Sequence, residues 1–397
     1  MNITSIKDGV KCRMKKKAKA KTASRSEDEP SGARIRRMAV IHNIDYQTNR
    51  NPNIIDPAPC LEANAEVEAI TNGIATILNQ NGIEAFIIQV NSRLDGLVSY
   101  LRDQKVDAVF NLVESLGNDP SREPELPLML EAAGIPYTGN GPAVLALANA
   151  KDKAKQILAA HHLPVPAGFT IWNPAEIPRL SEARLRFPVF AKPARSDASI
   201  GIDQESVIYS RQNLRKRVSW LMESIPQPVL IEEYLPGREI NVAIFPDPFY
   251  GHIVPTEIDF SPYPEGLAPI VTYNCKWKPD SPEYAACSHP CSDHLPENLL
   301  QEVLRIARAS FTTLGGTSYG RVDMRLNVKG EPVVIDVNPN NDLDREAGLA
   351  IAAKSVGFDY PALVLSLALG ATLKENYVSS PVTTARPRAV NGLAAAY

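Results

Sequence analysis

The chain is poor in cysteine. Five in 397 residues, an odd number, argue against a disulfide framework and fit a reducing, cytoplasmic compartment. No apolar run approaches the ~20 residues that cross a bilayer. The longest candidate, Pro361 to Leu373, has thirteen. The first thirty residues lack the apolar core of a secretory signal. Neither glycine-rich phosphate-binding signature, GxxxxGK[ST] or GxGxxG, is present.

One-signed charge is missing only on average. The net charge of −3 combines a net of +8 over residues 1–37 with −11 over the remainder. A basic arm on an acidic body is compatible with a nucleic-acid or membrane contact. This arm has no aromatic residue and no apolar face, so it reads as a solvated leader that a start at Met38 would remove. No nucleic-acid or membrane partner is expected. With 44% apolar residues and ~150 residues per domain, the length suggests two or three globular domains.

The globular pattern begins at Met38–Ile41, a short buried strand. Proline-rich 49–59 reads as a loop. Helical spacing follows over 63–79, stopped by Asn81-Gly82, then strands over 83–90 and 106–113. Strand, helix, strand predicts a parallel sheet with crossover helices. A helix at 128–133, a turn-rich stretch at 134–142 and one helix over 143–160 complete this part, with a boundary near Asn140. Beyond it strands dominate, at 188–193, 229–234, 239–245, 251–260, 320–328 and 331–338, with helices at 296–314 and 361–369 and a polar tail.

The most informative segment is Gly320 to Asn338, two period-two strands around a turn at Lys329-Gly330. In a symmetric hairpin Asp323 faces Asp336 and Arg321 faces Asn338, all on one face, with Val322, Met324, Ile335 and Val337 in the core. Opposed carboxylates repel, and a cation reverses the sign; Asp, Asp and Asn are hard oxygen ligands suited to Mg²⁺. The same residues could equally decorate a solvated sheet face, and a one-residue slip would dissolve the pairing. Lys153, Lys192 and Lys276 form a second set. Lys192 ends the apolar run 187–191, where a charge needs a partner such as a polyanion, although strand-end lysines commonly snorkel to water.

Eight motifs in order, FNLVESLG, GIPYTG, KDKAK, FPVFAKPA, VLIEEYLPGRE, YNCKW, GRVDMRL and VIDVNPN, make the region from Val106 to Leu369 resemble the ATP-grasp ligases of the D-alanine–D-alanine ligase type. The resemblance implies an α/β (α+β ATP-grasp) fold. It divides the chain into the leader 1–37, a small parallel-sheet N-terminal domain at 38–140, a two-part ATP-grasp domain with antiparallel sheets at 141–375 and a flexible tail at 376–397. It implies ATP with Mg²⁺ or Mn²⁺, small amino-acid or peptide substrates, and a homodimer. By resemblance, Lys153 and Lys192 hold phosphates, and Ser199 lies in the loop that covers them. The strand Glu232, Glu233 to Leu235 meets adenine and Glu239 the ribose. Lys276 closes on the γ-phosphate; Asp323, Asp336 and Asn338 hold metal; Arg321 steadies the tetrahedral intermediate. The implied activity is carboxylate–amine ligation through an acylphosphate, D-alanine–D-alanine ligase-like. Its alternatives are another amino-acid or peptide substrate and a non-catalytic ATP-binding protein.

Several positions depart from the family pattern. The phosphate loop reads Ser196-Asp-Ala-Ser-Ile-Gly201, with Asp197 where glycine is expected. Glu114-Ser115 replaces a histidine–glycine pair, and Asp342 and Ala347 replace a glycine and a serine. Cys287, His289, Cys291 and His294 offer rival zinc ligands, but four within eight residues would need a tight knot, and the segment is expected to be a loop.

Overall fold

A computed structural model describes residues 35–44, 58–181, 184–245, 253–287, 290–291 and 295–378. The leader, most of the expected 49–59 loop and the end of the polar tail lie outside the described residues. Elements run in the order β1 (Arg37–Asn43), α1 (Ala58–Gln80), β2 (Glu84–Val90), α2 (Leu97–Asp103), β3 (Ala108–Leu112) and α3 (Glu125–Ala133). Next come α4 (Pro142–Asn149), α5 (Lys151–Ala160), β4 (Gly168–Ile171), β5 (Val189–Pro193), β6 (Val207–Ile208), α6 (Arg211–Ser224), β7 (Val229–Glu233), β8 (Glu239–Ile244) and β9 (Ile253–Ile258). The chain continues through α7 (Tyr273–Trp277), α8 (Pro282–Cys287), β10 (Pro290–Cys291), α9 (Glu297–Thr313), β11 (Gly320–Leu326), β12 (Pro332–Asn338), α10 (Gly348–Ser355) and α11 (Tyr360–Val378).

The first sheet is parallel, in the order β2-β1-β3, as the strand–helix–strand rhythm requires. Helix α1 turns Ile70, Ile74, Ile77 and Leu78 onto it, and Gly82 at φ 81° carries the chain into β2. Two antiparallel sheets follow, β10-β9-β8-β11-β12 and β4-β7-β5-β6. In the five-stranded sheet Ile240, Val242, Val322, Met324 and Val337 pack beneath α9, whose Val303, Ile306, Ala307 and Phe311 cover them. Period-two alternation leaves Glu239, Asn241, Arg321, Asp323 and Arg325 on the opposite face. In the four-stranded sheet Val189, Ala191, Val229 and Ile231 pack under α6, so Lys192 and Glu232 take the other face. Lys192 Nζ reaches across to the Ile335 carbonyl at 3.2 Å, so the two charged faces approach each other.

Two expectations are corrected. The single helix over 143–160 is two, because the Lys151 amide bonds the Ala194 carbonyl at 3.2 Å instead of continuing the helix, and Ala150 turns out at φ −96°, ψ 71°. The hairpin is symmetric only at its open end. Arg321 pairs with Asn338 and Asp323 with Asp336, then a bulge shifts the register so that Met324 faces Val334. Val334, not Ile335, therefore enters the core; Ile335 is half-buried. Among the described residues no single helix is long and apolar enough to cross a membrane. The bent pair α10–α11 passes that test only by composition, and Leu349, Ala352, Leu363 and Leu367 are buried in the core.

Candidate functional site

The hairpin brings Arg321, Asp323, Asp336 and Asn338 together. Arg321 forks onto Asp323, Nε to Oδ1 at 2.6 Å and Nη2 to Oδ2 at 2.9 Å. Asn338 donates to Asp323 Oδ2 at 2.8 Å, and Asn241 from the neighbouring strand β8 donates to Oδ1 at 2.9 Å. No motif in the sequence marks Asn241. Its register opposite Asp323 follows from the β8–β11 pairing, which one sequence does not display. The guanidinium is raised further above its ordinary range: burial alone would lower it, and the Asp323 carboxylate overrides burial.

Lysines gather around Asp336. Lys151 Nζ donates to Asp336 Oδ2 at 2.7 Å and to Asp197 Oδ1 at 2.6 Å. Burial would push the Asp336 carboxyl up, but Lys151, then Lys192 and Lys155, bring it down to about 2. Lys151 is itself raised, because the two carboxylates outweigh its burial. Lys155 and Lys192 both pair with buried Glu232, Lys192 at 3.4 Å. Burial takes Lys155 down to about 8, opposed by Glu232. Glu232 stays below its usual range because the two lysines outweigh burial.

Lys153 does not join this group. It is exposed, with Nζ 5.5 Å from the Trp172 ring centroid. In a helix, positions i and i+4 share a face and i+2 lies away from it. KDKAK therefore aims Lys151 and Lys155 inward, and the helical period was the signal that could have chosen between the lysines. Lys151, not Lys153, is the lysine of KDKAK that reaches Asp336 and Asp197.

Ser199 lies in the loop after β5. Its hydroxyl donates to the Val271 carbonyl at 3.0 Å, and Trp277 Nε1 donates to the Ala198 carbonyl at 3.0 Å. These bonds tie the loop to α7, which carries Lys276. Ala198 and Ser199 hold left-handed φ values of 52° and 59°, a conformation non-glycine residues keep only when the surroundings hold it. Lys276 is solvent-accessible, yet crowding by protein and then Arg321 lower its ammonium. Glu233 is exposed and Leu235 buried at the end of β7. Glu239 is buried against Arg325 at 3.2 Å; burial raises its carboxyl and Arg325 opposes this.

The parallel sheet adds an acidic wall. Asn340, just past β12, donates to the Val113 carbonyl at 3.2 Å and to Glu123 Oε1 at 2.7 Å, bringing the Glu114 loop beside Asp342. Glu114 is accessible to water yet set deep enough for desolvation, then Asp342 and Asp197, to raise it to about 7. Asp342 is raised as well, by desolvation and Asp344. The departures Asp197, Glu114 and Asp342 thus lie in one electrostatic neighbourhood. His289 and His294 of the zinc alternative lie outside the described residues.

The D-ala D-ala ligase C-terminus family matches residues 157–368, more than half of the chain. The chain belongs to this family. The matched residues take in the hairpin, the Glu232 strand and the Lys276 segment. An uncharacterized protein y4sG from Sinorhizobium fredii is 30% identical over 260 residues, 64% of this chain and 72% of the relative. A D-alanine--D-alanine ligase from Ectopseudomonas mendocina is 26% identical over 303 residues, 75% of this chain and 87% of the relative. The crystal structure of D-alanine--D-alanine ligase from Bacillus anthracis complexed with ATP superposes with a TM-score of 0.63 at 20% identity, over 87% of this chain and 99% of that one. The ATP-grasp ligase architecture is shared, with its parallel N-terminal sheet and two antiparallel sheets.

Proposed function

We propose that the protein is an ATP- and Mg²⁺-dependent ligase that joins a carboxylate to an amine through an acylphosphate. Its substrates are amino acids or short peptides, with D-alanine the first candidate. The observation that carries this reading is the shared face of Arg321, Asp323, Asp336 and Asn338, with Lys151 bonded to Asp336 at 2.7 Å and Lys192 and Lys276 within electrostatic reach of the same acids. Cationic side chains gathered beside these acids suit a triphosphate. An all-oxygen set whose Asp336 stays ionised down to about 2 suits a hard divalent cation. Bound there, the cation would neutralise phosphoryl charge.

The chain's own groups account for the rest. Lys151 and Lys192 hold phosphate oxygens, and Lys276 enters from the α7 segment. Arg321, fixed by its two bonds to Asp323, faces the oxyanion that forms when an amine attacks the activated carboxyl. Asp342, and Glu114 when it ionises above about 7, place negative potential near Arg321 and Lys276, which draws an ammonium-bearing acceptor. The phosphate loop and α7, tied through Trp277 and Ser199, keep water from the acylphosphate.

An ADP-release assay over a panel of D- and L-amino acids and dipeptides tests the reading. Turnover with D-alanine supports the D-alanine–D-alanine ligase-like reading, and turnover only with other amines assigns another substrate. Nucleotide binding with no turnover on any member would favour a non-catalytic protein.

A further inference from the structure

The ammonium of Lys151 is shared between two carboxylates with different freedom. The Lys151 side chain is 5% exposed and the Asp336 side chain 23%, whereas Asp197 is 41% exposed. Lys151 is pinned by its burial and by the helix break that turns its amide to Ala194. Asp336 is fixed in the hairpin ladder. Asp197 stands on a loop, so it is the partner that can turn out into water. Asp336 and Asp197 engage two of the three N–H donors of the ammonium, so a phosphate oxygen reaching the third would lie against the Asp197 carboxylate.

Asp197 is held near Lys151 by more than charge. Gln227 Nε2 donates to Ser196 Oγ at 2.6 Å on one side, and Trp277 holds the Ala198 carbonyl at 3.0 Å on the other. A carboxylate kept there would face the oxygens of any polyanion that approached Lys151, and like charges at such range repel strongly.

We infer that Asp197 is a built-in competitor for Lys151, a carboxylate that must leave the ammonium before a nucleotide phosphate takes its place. This rests on the proposed nucleotide site and specifies how that site is guarded. The competition is directed at phosphates, because the Asp197 carboxylate is bonded to the cation that would receive them. A neutral residue at 197 leaves the base and ribose contacts unchanged and removes the opposing charge; Ala also frees a donor on Lys151.

Calorimetric titration with AMP-PNP and Mg²⁺, and separately with adenosine, tests this on wild type, Asp197→Asn and Asp197→Ala, with thermal melts to establish that each is folded. Both variants are expected to bind AMP-PNP about tenfold more tightly, the effect of removing one charge-assisted contact that must otherwise be broken. Adenosine binding is expected to be unchanged. Equal or weaker AMP-PNP binding in both variants would overturn the inference, as would an equal gain for adenosine. Wild-type binding with unaltered variants removes the competitor alone. If none of the three proteins binds AMP-PNP, the nucleotide site falls and the competitor with it.

Discussion

Asp323 stands directly across the β11–β12 hairpin from Asp336, and each carboxylate is neutralised from a different direction. Asp323 takes Arg321 from its own strand, while Asp336 takes Lys151 from the start of α5. Two opposed acids on one sheet face are unfavourable unless cations intervene, and the fold supplies one for each. Arg321 is therefore oriented by the residue that would also hold metal.

The first prediction concerns that pair. Asp323→Asn keeps the shape and removes the charge that holds Arg321. ADP formation with the best acceptor is expected to fall about 10²–10³-fold, the cost of losing one preorganised oxyanion partner. Arg321→Ala should fall by at least as much, with the fold intact by circular dichroism. Near-wild-type turnover in either variant at saturating ATP would place the chemistry elsewhere.

The second prediction separates two lysines that differ by two positions. Lys151→Ala leaves Asp336 and Asp197 without their shared cation, and is expected to abolish measurable AMP-PNP binding. Lys153→Ala removes only an exposed ammonium near Trp172 and should bind the nucleotide as wild type does. Equilibrium dialysis of the two variants side by side distinguishes them, and the reverse order of effects would restore Lys153 to the phosphate site.

What the sequence made legible follows from this difference. Period-two alternation revealed the Asp323–Asp336 register because a strand's faces are set by its own residues. The bulge that admits Val334 to the core in place of Ile335 was invisible, since it depends on packing beneath α9. Helical period could set Lys151 and Lys155 apart from Lys153, but the break at Ala150 that starts α5 there is made by Ala194 from a distant loop. The Asp197 partner, the Asn241 bond and the Lys155–Glu232 pair are all contacts between elements far apart in the chain. Order of motifs identified the family; only the packed elements showed which neighbours each charge keeps.

The third prediction tests the support beneath the hairpin. Gly320 opens β11, and a Cβ there would overlap the ring of Phe311, a buried residue of α9. Phe311 is locked among Ile306, Val322 and Leu314, so it has little room to yield. Gly320→Ala is expected to destabilise the protein by about 1–3 kcal/mol, the usual cost of overpacking a core. Urea denaturation measures it, and a change below the error of the fit would mean that the ring moves freely.

The fourth prediction is a pH dependence of stability with a definite sign. Glu123 is 6% exposed and accepts amide hydrogens from Asn149 at 2.9 Å and Asn340 at 2.7 Å. Burial nevertheless raises its carboxyl to about 8, against the opposing effect of those two amides. A carboxyl raised in the folded state binds its proton more tightly there than in the unfolded chain. Its contribution is therefore complete below the unfolded value of 4.5 and is lost as pH climbs toward about 8. Each unit of such a shift corresponds to ~1.4 kcal/mol, so the loss amounts to a few kcal/mol at most. Glu123→Gln cannot ionise. The stability of wild type relative to this variant is expected to decline steadily from pH 5 to pH 8 and to level off above. Asp336, whose folded value lies near 2, changes only below pH 4 and does not enter this window. Chemical denaturation of both proteins at one-unit intervals reads the difference directly, and a difference that stays constant with pH would show that Glu123 is ionised in the folded protein throughout.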